Sequence, residues 1–421
     1  MRALHVIQRY WPYTGGSERH LQEFAERLVR AGGRSTVFTT DAWDLEAFWA
    51  GGKRLIPKRA ETHNGVRIRR FPVRRLPGSR LSYPGVRRVM AELSDLPVDA
   101  RPLLRRLAPL APLVPELQWT LRRLPARFDV VLGMNICFEG LLLPALSYAR
   151  RTGAAFVVAP LTHLGEPGNE GIRRYYTMRH QIDLLAQADA VLAQTQLERD
   201  FLVDSGVPAA RITLAPPGVN PEEVLGGAAE RFRAKYAIAG PIVTYVGTTA
   251  YDKGTHHLVQ AMRRLWRDGV AATLVLAGPT MDQFTRFYER LPEADRARCR
   301  VLGFIPEPDK RDLLAACDLL AMPSRTDSFG LVYLEAWLYG KPVIGARAGG
   351  VPEVIADGED GFLVPFGDVD ALADRIRRLL ENRELADRLG RAGREKTLAH
   401  HTWDRTFATL TEVYERVGAK R

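Results

Sequence analysis

Asp318-Leu319-Leu320-Ala321-Met322-Pro323-Ser324-Arg325-Thr326-Asp327-Ser328-Phe329-Gly330-Leu331-Val332-Tyr333-Leu334-Glu335-Ala336 passes from an apolar run through a polar turn into a second apolar segment. The first run predicts a buried strand, and Ser328 is placed to cap a helix beginning near Phe329. In an open α/β sheet such a helix aims the backbone N–H groups of Phe329, Gly330 and Leu331 past the strand's carboxyl end, where anionic ligands bind. Asp327 and Glu335 have seven residues between them. On a helix this places Glu335 about two turns further on, roughly 10 Å along the axis, so one ligand can touch both ends. The same residues also fit a plain capped helix with a solvated glutamate. The neighbours of Glu335 weigh against that second reading: Leu334, Ala336 and Trp337 flank it, and an unpaired carboxylate in so apolar a segment is costly.

Outward from this stretch, strand-like and helix-like segments alternate almost throughout, the pattern of parallel sheets flanked by helices. Expected strands are Ala3–Gln8, Arg34–Thr40, Val66–Phe71, Asp129–Leu132, Ala155–Pro160, Ala190–Ala193 and Ile212–Pro216. Thr195-Gln196-Leu197-Glu198 has capping-box spacing and opens a helix toward Gly206. After a pause at Pro216-Pro217-Gly218-Val219-Asn220, a second series runs Pro241–Gly247, Ala272–Ala277, Arg300–Phe304, Asp318–Met322, Pro342–Gly345 and Gly361–Val364. A chain of 421 residues exceeds what one core usually supports. The expected division is a first doubly wound domain at 1–220, a second at 221–398, and a C-terminal helix within 399–421.

Three cysteines, Cys137, Cys299 and Cys317, show no metal-ligand spacing and read as inert thiols of a reducing compartment. No apolar stretch approaches the eighteen or so residues of a membrane span, and the N-terminal run is too short for a secretory core, so a cytoplasmic protein is expected. The net charge of +11 is concentrated: residues 53–127 hold 18 Lys and Arg against 5 Asp and Glu. There Arg67, Arg69, Arg70, Arg74, Arg75, Arg87, Arg88, Arg105 and Arg106 alternate with Phe71, Leu76, Tyr83, Leu103, Leu104, Leu107, Leu110 and Trp119. This reads as an insertion-like region suited to an anionic membrane surface or polyanionic acceptor, or as an ordinary solvated surface in a chain with 52 Arg and 8 Lys. Nucleic acid is not expected, because no binding module accompanies the charge.

Five motifs in order, over nearly the whole chain, resemble the retaining glycosyltransferases of family 4 (glycosyl transferases group 1). They are Gly15-Gly16-Ser17-Glu18-Arg19-His20, Pro216–Asn220, Tyr245-Val246-Gly247 through Lys253-Gly254, the Asp327–Glu335 segment, and Gly349-Gly350-Val351-Pro352-Glu353 with Asp357–Val364. The resemblance implies the GT-B architecture, two doubly wound Rossmann-like domains facing each other across a cleft. The first would serve the acceptor, the second a nucleotide-sugar donor, and the helix Trp403–Val417 would pack back on the first domain.

It further implies a metal-independent retaining transfer of a hexose from a UDP- or GDP-sugar to a hydroxyl of a lipid, glycolipid or oligosaccharide, with no cofactor. His163, Lys253 and Asp327 would be catalytic. Donor binding would fall to Gly15, Gly16, Thr248, Lys253, Phe304, Ile305, Asp327, Phe329, Gly330, Leu331 and Glu335, with Glu335 on the ribose and Phe304-Ile305 at the nucleobase. Gly349 and Gly350 would lie near the acceptor or simply end a strand. Two departures stand out. Thr248 and Thr249 follow Gly247 where the family usually carries an arginine paired with the lysine across the diphosphate, leaving Arg325 as a candidate replacement. Asp327 stands where glutamate is commoner. The alternatives are a nucleotide-sugar-binding scaffold with impaired catalysis, or another GT-B enzyme such as an epimerase.

Overall fold

The computed structural model describes residues 1–13 and 15–418 and divides the chain into two units. Unit 1 comprises Met1–Thr162, Gly171–Pro216 and the chain from Phe407 onward; unit 2 comprises His163–Glu170 and Pro217–Thr406. The short segment 163–170 therefore groups with unit 2, although the chain on either side belongs to unit 1. Of the expected C-terminal element, the helix Trp403–Gly418 is described and its part from Phe407 groups with unit 1; residues 419–421 lie outside the described residues.

The sheet of unit 1 runs β3(Ala60–His63), β4(Val66–Phe71), β2(Arg34–Thr40), β1(Arg2–Val6), β5(Val130–Met134), β6(Ala155–Ala159), β7(Ala190–Ala193), β8(Ile212–Leu214). All neighbours pair in parallel except β3 with β4. β5 and β6 are buried along their whole length, as apolar runs must be where helices cover both faces of a parallel sheet. Unit 2 holds β9(Ile242–Val246), β10(Thr273–Ala277), β11(Cys299–Gly303), β12(Leu319–Met322), β13(Val343–Ala346) and β14(Gly361–Val364), ordered β11-β10-β9-β12-β13-β14 and all parallel. Each unit has its own core, one around Leu4, Val131 and Phe156, the other around Val243, Leu274 and Leu320. The order of connection reverses between β1 and β5 in unit 1, and between β9 and β12 in unit 2. At such switch points the carboxyl ends of adjacent strands open a crevice for ligands.

Every strand expected from the sequence forms, and β3 forms in addition. β3 is short and largely polar, so it lacks a burial pattern, but Asn64-Gly65 supplied the signal: both have positive φ, 47° and 78°, the geometry of a two-residue hairpin turn. The basic segment 53–127 is not a mere insertion, because β4 pairs along its length with β2 and three helices, Ser79–Asp95, Arg101–Leu107 and Pro115–Arg123, follow it. Two of its arginines leave the surface altogether. Arg70 is buried against Glu61 and the Trp11 carbonyl, and Arg87 against Glu139 and the Tyr175 carbonyl. Thr195 caps the helix Gln196–Asp204 by accepting from Glu198 N–H at 3.1 Å, whereas the Glu198 carboxylate turns to the Gln194 and Thr162 amides at 2.8 and 2.6 Å. Cys299 and Cys317 are buried and Cys137 half-buried, and burial pushes all three thiols up to about 12.

Burial lowers the pKa of His5, which lies between Ser35 and Tyr414 in unit 1, and of His20 to about 3; His163 is lowered to about 3 by burial and the charge of Lys253. These rings stay neutral in the folded chain but take up protons below about pH 6.5 once unfolded. The unfolded state thus binds more protons between about pH 3 and 6.5, and stability rises with pH across that window, by up to about 1.4 kcal/mol per unit for each histidine. Thermal melts are expected to shift downward from pH 7.5 to pH 5; a midpoint that stays level would mean the folded chain protonates these rings.

Candidate active site

The switch point of unit 2 gathers the residues that the sequence singled out. After β9 the chain passes through Thr248 and Thr249 to a short turn, Tyr251–Lys253, and then the helix Thr255–Arg267. After β12 it passes through Pro323–Ser328 to the helix Leu331–Leu338. Gly254 lets these two loops touch: its φ is +74°, and a Cβ there would fall 2.1 Å from the Pro323 carbonyl oxygen. Across the contact, Lys253 Nζ donates to Asp327 Oδ1 at 2.8 Å and to the Thr326 carbonyl at 3.1 Å. Burial by itself would raise the Asp327 pKa, but the charge and hydrogen bond of Lys253 outweigh it and hold the carboxyl below its ordinary range. His163 lies within electrostatic reach of both. A neutral imidazole, an ammonium and a carboxylate therefore converge on one point.

Arg325 is spoken for. Its guanidinium holds Asp252 through Nε at 2.9 Å and Nη2 at 2.5 Å, holds Glu166 through Nη1 at 3.2 Å, and lies over the Phe366 ring. It fastens the loops on either side of the Lys253–Asp327 pair instead of standing open as the second diphosphate cation. Thr249 is buried with its amide on the Pro279 carbonyl, while half-buried Thr248 has its carbonyl held by Tyr245 Oη at 2.8 Å.

The start of the helix differs from expectation. It begins at Leu331, two residues beyond Phe329, and Ser328 does not cap it: Gly330 occupies the cap position with φ +90°. The ring of Tyr333 packs where a Cβ at residue 330 would stand, which is why a glycine with left-handed backbone replaces the expected serine cap. Phe329 and Gly330 are thus non-helical. Their amides still precede a helix N-terminus and donate to no other described residue. Glu335 lies only in the second turn of this shorter helix, so its distance from Asp327 is not set by two full helical turns.

Glu335 is half-buried and paired. Its Oε1 accepts from Lys310 Nζ at 3.0 Å, and Lys310 also meets Glu307 at 2.9 Å. Burial alone would lower the Lys310 pKa, but the two glutamates raise it above its ordinary value. Lys310 sits on the helix Glu307–Ala316, directly after Phe304-Ile305-Pro306. Phe304 is exposed, and Ile305 is half-buried against the cluster around Phe232. Lys310 escaped the sequence reading because nothing in its local pattern separates it from a surface lysine. Gly349 belongs with Asp327: its φ is +58°, a Cβ there would meet the Asp327 carbonyl at 2.1 Å, and that carbonyl accepts from Gly350 N–H at 3.2 Å.

Gly15 and Gly16 lie in unit 1, where Gly16 opens the helix Gly16–Arg30 after β1. At Gly15 a Cβ would strike Glu18 and Tyr13, whereas Gly16 has open space around it. Among the described residues no group of three or more His, Cys, Asp or Glu could hold a metal ion.

The family described as glycosyl transferases group 1 matches residues 229–396, and the glycosyl transferase 4-like domain family matches residues 15–218. A GDP-mannose-dependent alpha-(1-6)-phosphatidylinositol monomannoside mannosyltransferase of Mycobacterium tuberculosis is 28% identical over 432 residues, covering 100% of both chains. The enzyme of the same description from Mycolicibacterium smegmatis is 31% identical over 63% of this chain and 71% of its own. Among solved structures, the sucrose-phosphate synthase of Thermosynechococcus elongatus superposes with a TM-score of 0.76 at 20% identity, covering 100% of each chain, which shows a shared fold. The chain belongs to the GT4-like glycosyltransferases, of GT-B fold. It is an enzyme that transfers a glycosyl group from a nucleoside diphosphate sugar.

Replacing Gly349 by alanine is expected to displace the Asp327 loop, because both the left-handed backbone and the 2.1 Å approach forbid a Cβ. A melting temperature lowered by several degrees, with weakened binding of nucleoside diphosphate sugars, is the expected outcome in calorimetry; wild-type values for both would show that the loop relaxes freely.

Proposed function

We propose that this enzyme transfers a hexose, with retention of anomeric configuration, from GDP- or UDP-hexose to a hydroxyl of a lipid-linked or saccharide acceptor. The reading is carried by the Lys253–Asp327 pair at the switch point, with neutral His163 beside it. In this reading the ionised Asp327 accepts hydrogen bonds from sugar hydroxyls and His163 contacts the transferred sugar. Lys253 faces the diphosphate, where fixed charge in a low-dielectric site is worth most as negative charge grows on the leaving group. The unpaired amides of Phe329 and Gly330 add donors for phosphate or sugar oxygens. Glu335, oriented by Lys310, binds ribose hydroxyls, and exposed Phe304 with Ile305 borders the base. Retention follows a same-face path in which the departing diphosphate takes the acceptor proton, so no enzyme nucleophile is needed.

A mannosyl donor and a phosphatidylinositol-type lipid are the first pair to assay, since the Mycobacterium tuberculosis relative matched over its whole length is a GDP-mannose-dependent phosphatidylinositol monomannoside mannosyltransferase. The lipid acceptor is also supported by the helices of residues 79–123. Leu81, Val89, Leu96, Val98 and Leu103 are exposed there, Leu81 to 84%, among exposed Arg88, Arg101, Arg105 and Arg106. Apolar side chains interspersed with arginine suit the headgroup region of an anionic bilayer. No described helix is long and apolar enough to cross a membrane.

Purified protein is expected to consume GDP-mannose or UDP-glucose in the presence of phosphatidylinositol mannosides or total membrane lipid. Lys253→Ala and Asp327→Ala are each expected to lower kcat/KM by about 100-fold or more while circular dichroism stays native. Full turnover in both variants would remove these residues from the site.

Vesicles with 30 mol% phosphatidylglycerol, a fraction of about the size needed for a marked surface potential, are expected to sediment the protein, and Leu81→Asp with Val89→Asp to release it. Equal sedimentation with neutral vesicles would refute the surface assignment.

A further inference from the structure

The loop 163–170 carries His163, belongs to unit 2 and is tied to the rest of it through Gly165 and Glu166. Gly349 N–H donates to the Gly165 carbonyl at 2.8 Å, and Arg325 Nη1 donates to Glu166 Oε1 at 3.2 Å. Arg325 cannot swing away easily, because its other nitrogens grip Asp252 and its plane lies on Phe366 at 4.8 Å. Glu166 is consequently held in the same way as Asp327. Each carboxylate is anchored through one oxygen by a cation, Asp327 Oδ1 by Lys253 and Glu166 Oε1 by Arg325.

The second oxygen of each, Asp327 Oδ2 and Glu166 Oε2, is buried and accepts no hydrogen bond from any described residue. Carboxylate oxygens removed from water demand donors; the Ser324 hydroxyl bears on the Asp327 carboxylate and helps to lower its pKa, whereas no described residue offers a donor to Glu166 Oε2. The two anchors also belong to one bonded unit: Gly349 touches the Asp327 carbonyl on one side and the Gly165 carbonyl on the other. A hexose presents several hydroxyls as neutral donors, which satisfies a carboxylate without adding charge to a cluster in which Lys253 and Arg325 already pair with Asp327, Glu166 and Asp252.

We propose that Glu166 is a second sugar-binding carboxylate, whose Oε2 accepts a hydrogen bond from a hydroxyl of the transferred hexose and thereby selects the donor sugar. Arg325 is its positioning residue. This rests on the donor-site reading given above. It also assigns Arg325 a task different from that of the diphosphate arginine absent after Gly247: it fixes the grip on the sugar, not the leaving group.

The test uses the full chain, with whichever of GDP-mannose and UDP-glucose the wild type turns over, and the monodeoxy analogues of that donor. In the wild type, one analogue is expected to lose about 10- to 100-fold in kcat/KM, the range for a hydrogen bond to a charged acceptor. Glu166→Ala is expected to lose a similar factor on the parent donor and to show no further loss on that analogue, while binding free GDP or UDP within about twofold of wild type. Glu166→Gln, which keeps the size of the side chain, serves if the alanine variant does not fold. A deoxy penalty equally large in wild type and variant, or no penalty for any hydroxyl in the wild type, overturns the role of Glu166 alone. Turnover of neither donor by the wild type would instead overturn the donor reading on which it rests.

Discussion

The ion pair between Lys253 and Asp327 joins the loop after β9 to the loop after β12, and most of what distinguishes unit 2 follows from keeping those loops in contact. The pair spans the point where the order of strands reverses, so the two loops diverge to opposite sides of the sheet and need cross-links to stay together. Gly254 allows the backbones to meet, Arg325 and Asp252 add a second bridge, and Gly349 lets a third loop reach the Asp327 carbonyl. Each link sits where a larger or neutral side chain would separate the loops.

Charges in this region come as pairs with a purpose for each partner. Asp327 stays ionised because Lys253 offsets the cost of burial, and His163 stays neutral because burial and the same lysine disfavour its proton. One cation thus sets two protonation states in opposite senses, and the pair with its neutral imidazole carries no net charge. The Glu335–Lys310 pair lies further along, where a half-buried carboxylate is oriented by a lysine from the neighbouring helix.

The parallel strands were legible because buried apolar runs bounded by turns leave a strong local mark, and the Asp327–Glu335 spacing pointed to the site for the same reason. The errors arose where a local rule met a tertiary constraint. Ser328 is a good cap by composition, but the Tyr333 ring claims the space and a left-handed Gly330 takes its place. Arg70 and Arg87 belong to a basic stretch by sequence and to the interior by structure, since Glu61 and Glu139 draw them in. β3 has too little apolar character to announce itself except through its turn.

By itself the sequence determined the alternation of elements, the two-unit organisation around separate cores, the family, and the identity of Lys253, Asp327, His163 and Glu335 as residues of interest. These depend on periodicity and motif order, which are properties of neighbours along the chain. Only the tertiary structure decided the partners: Lys310 for Glu335, Asp252 and Glu166 for Arg325, and the grouping of segment 163–170 with unit 2. Partnership between charges separated by 25, 73 or 159 positions is set by which strands lie side by side and which segments they bring within 3.2 Å, and no local pattern carries that information.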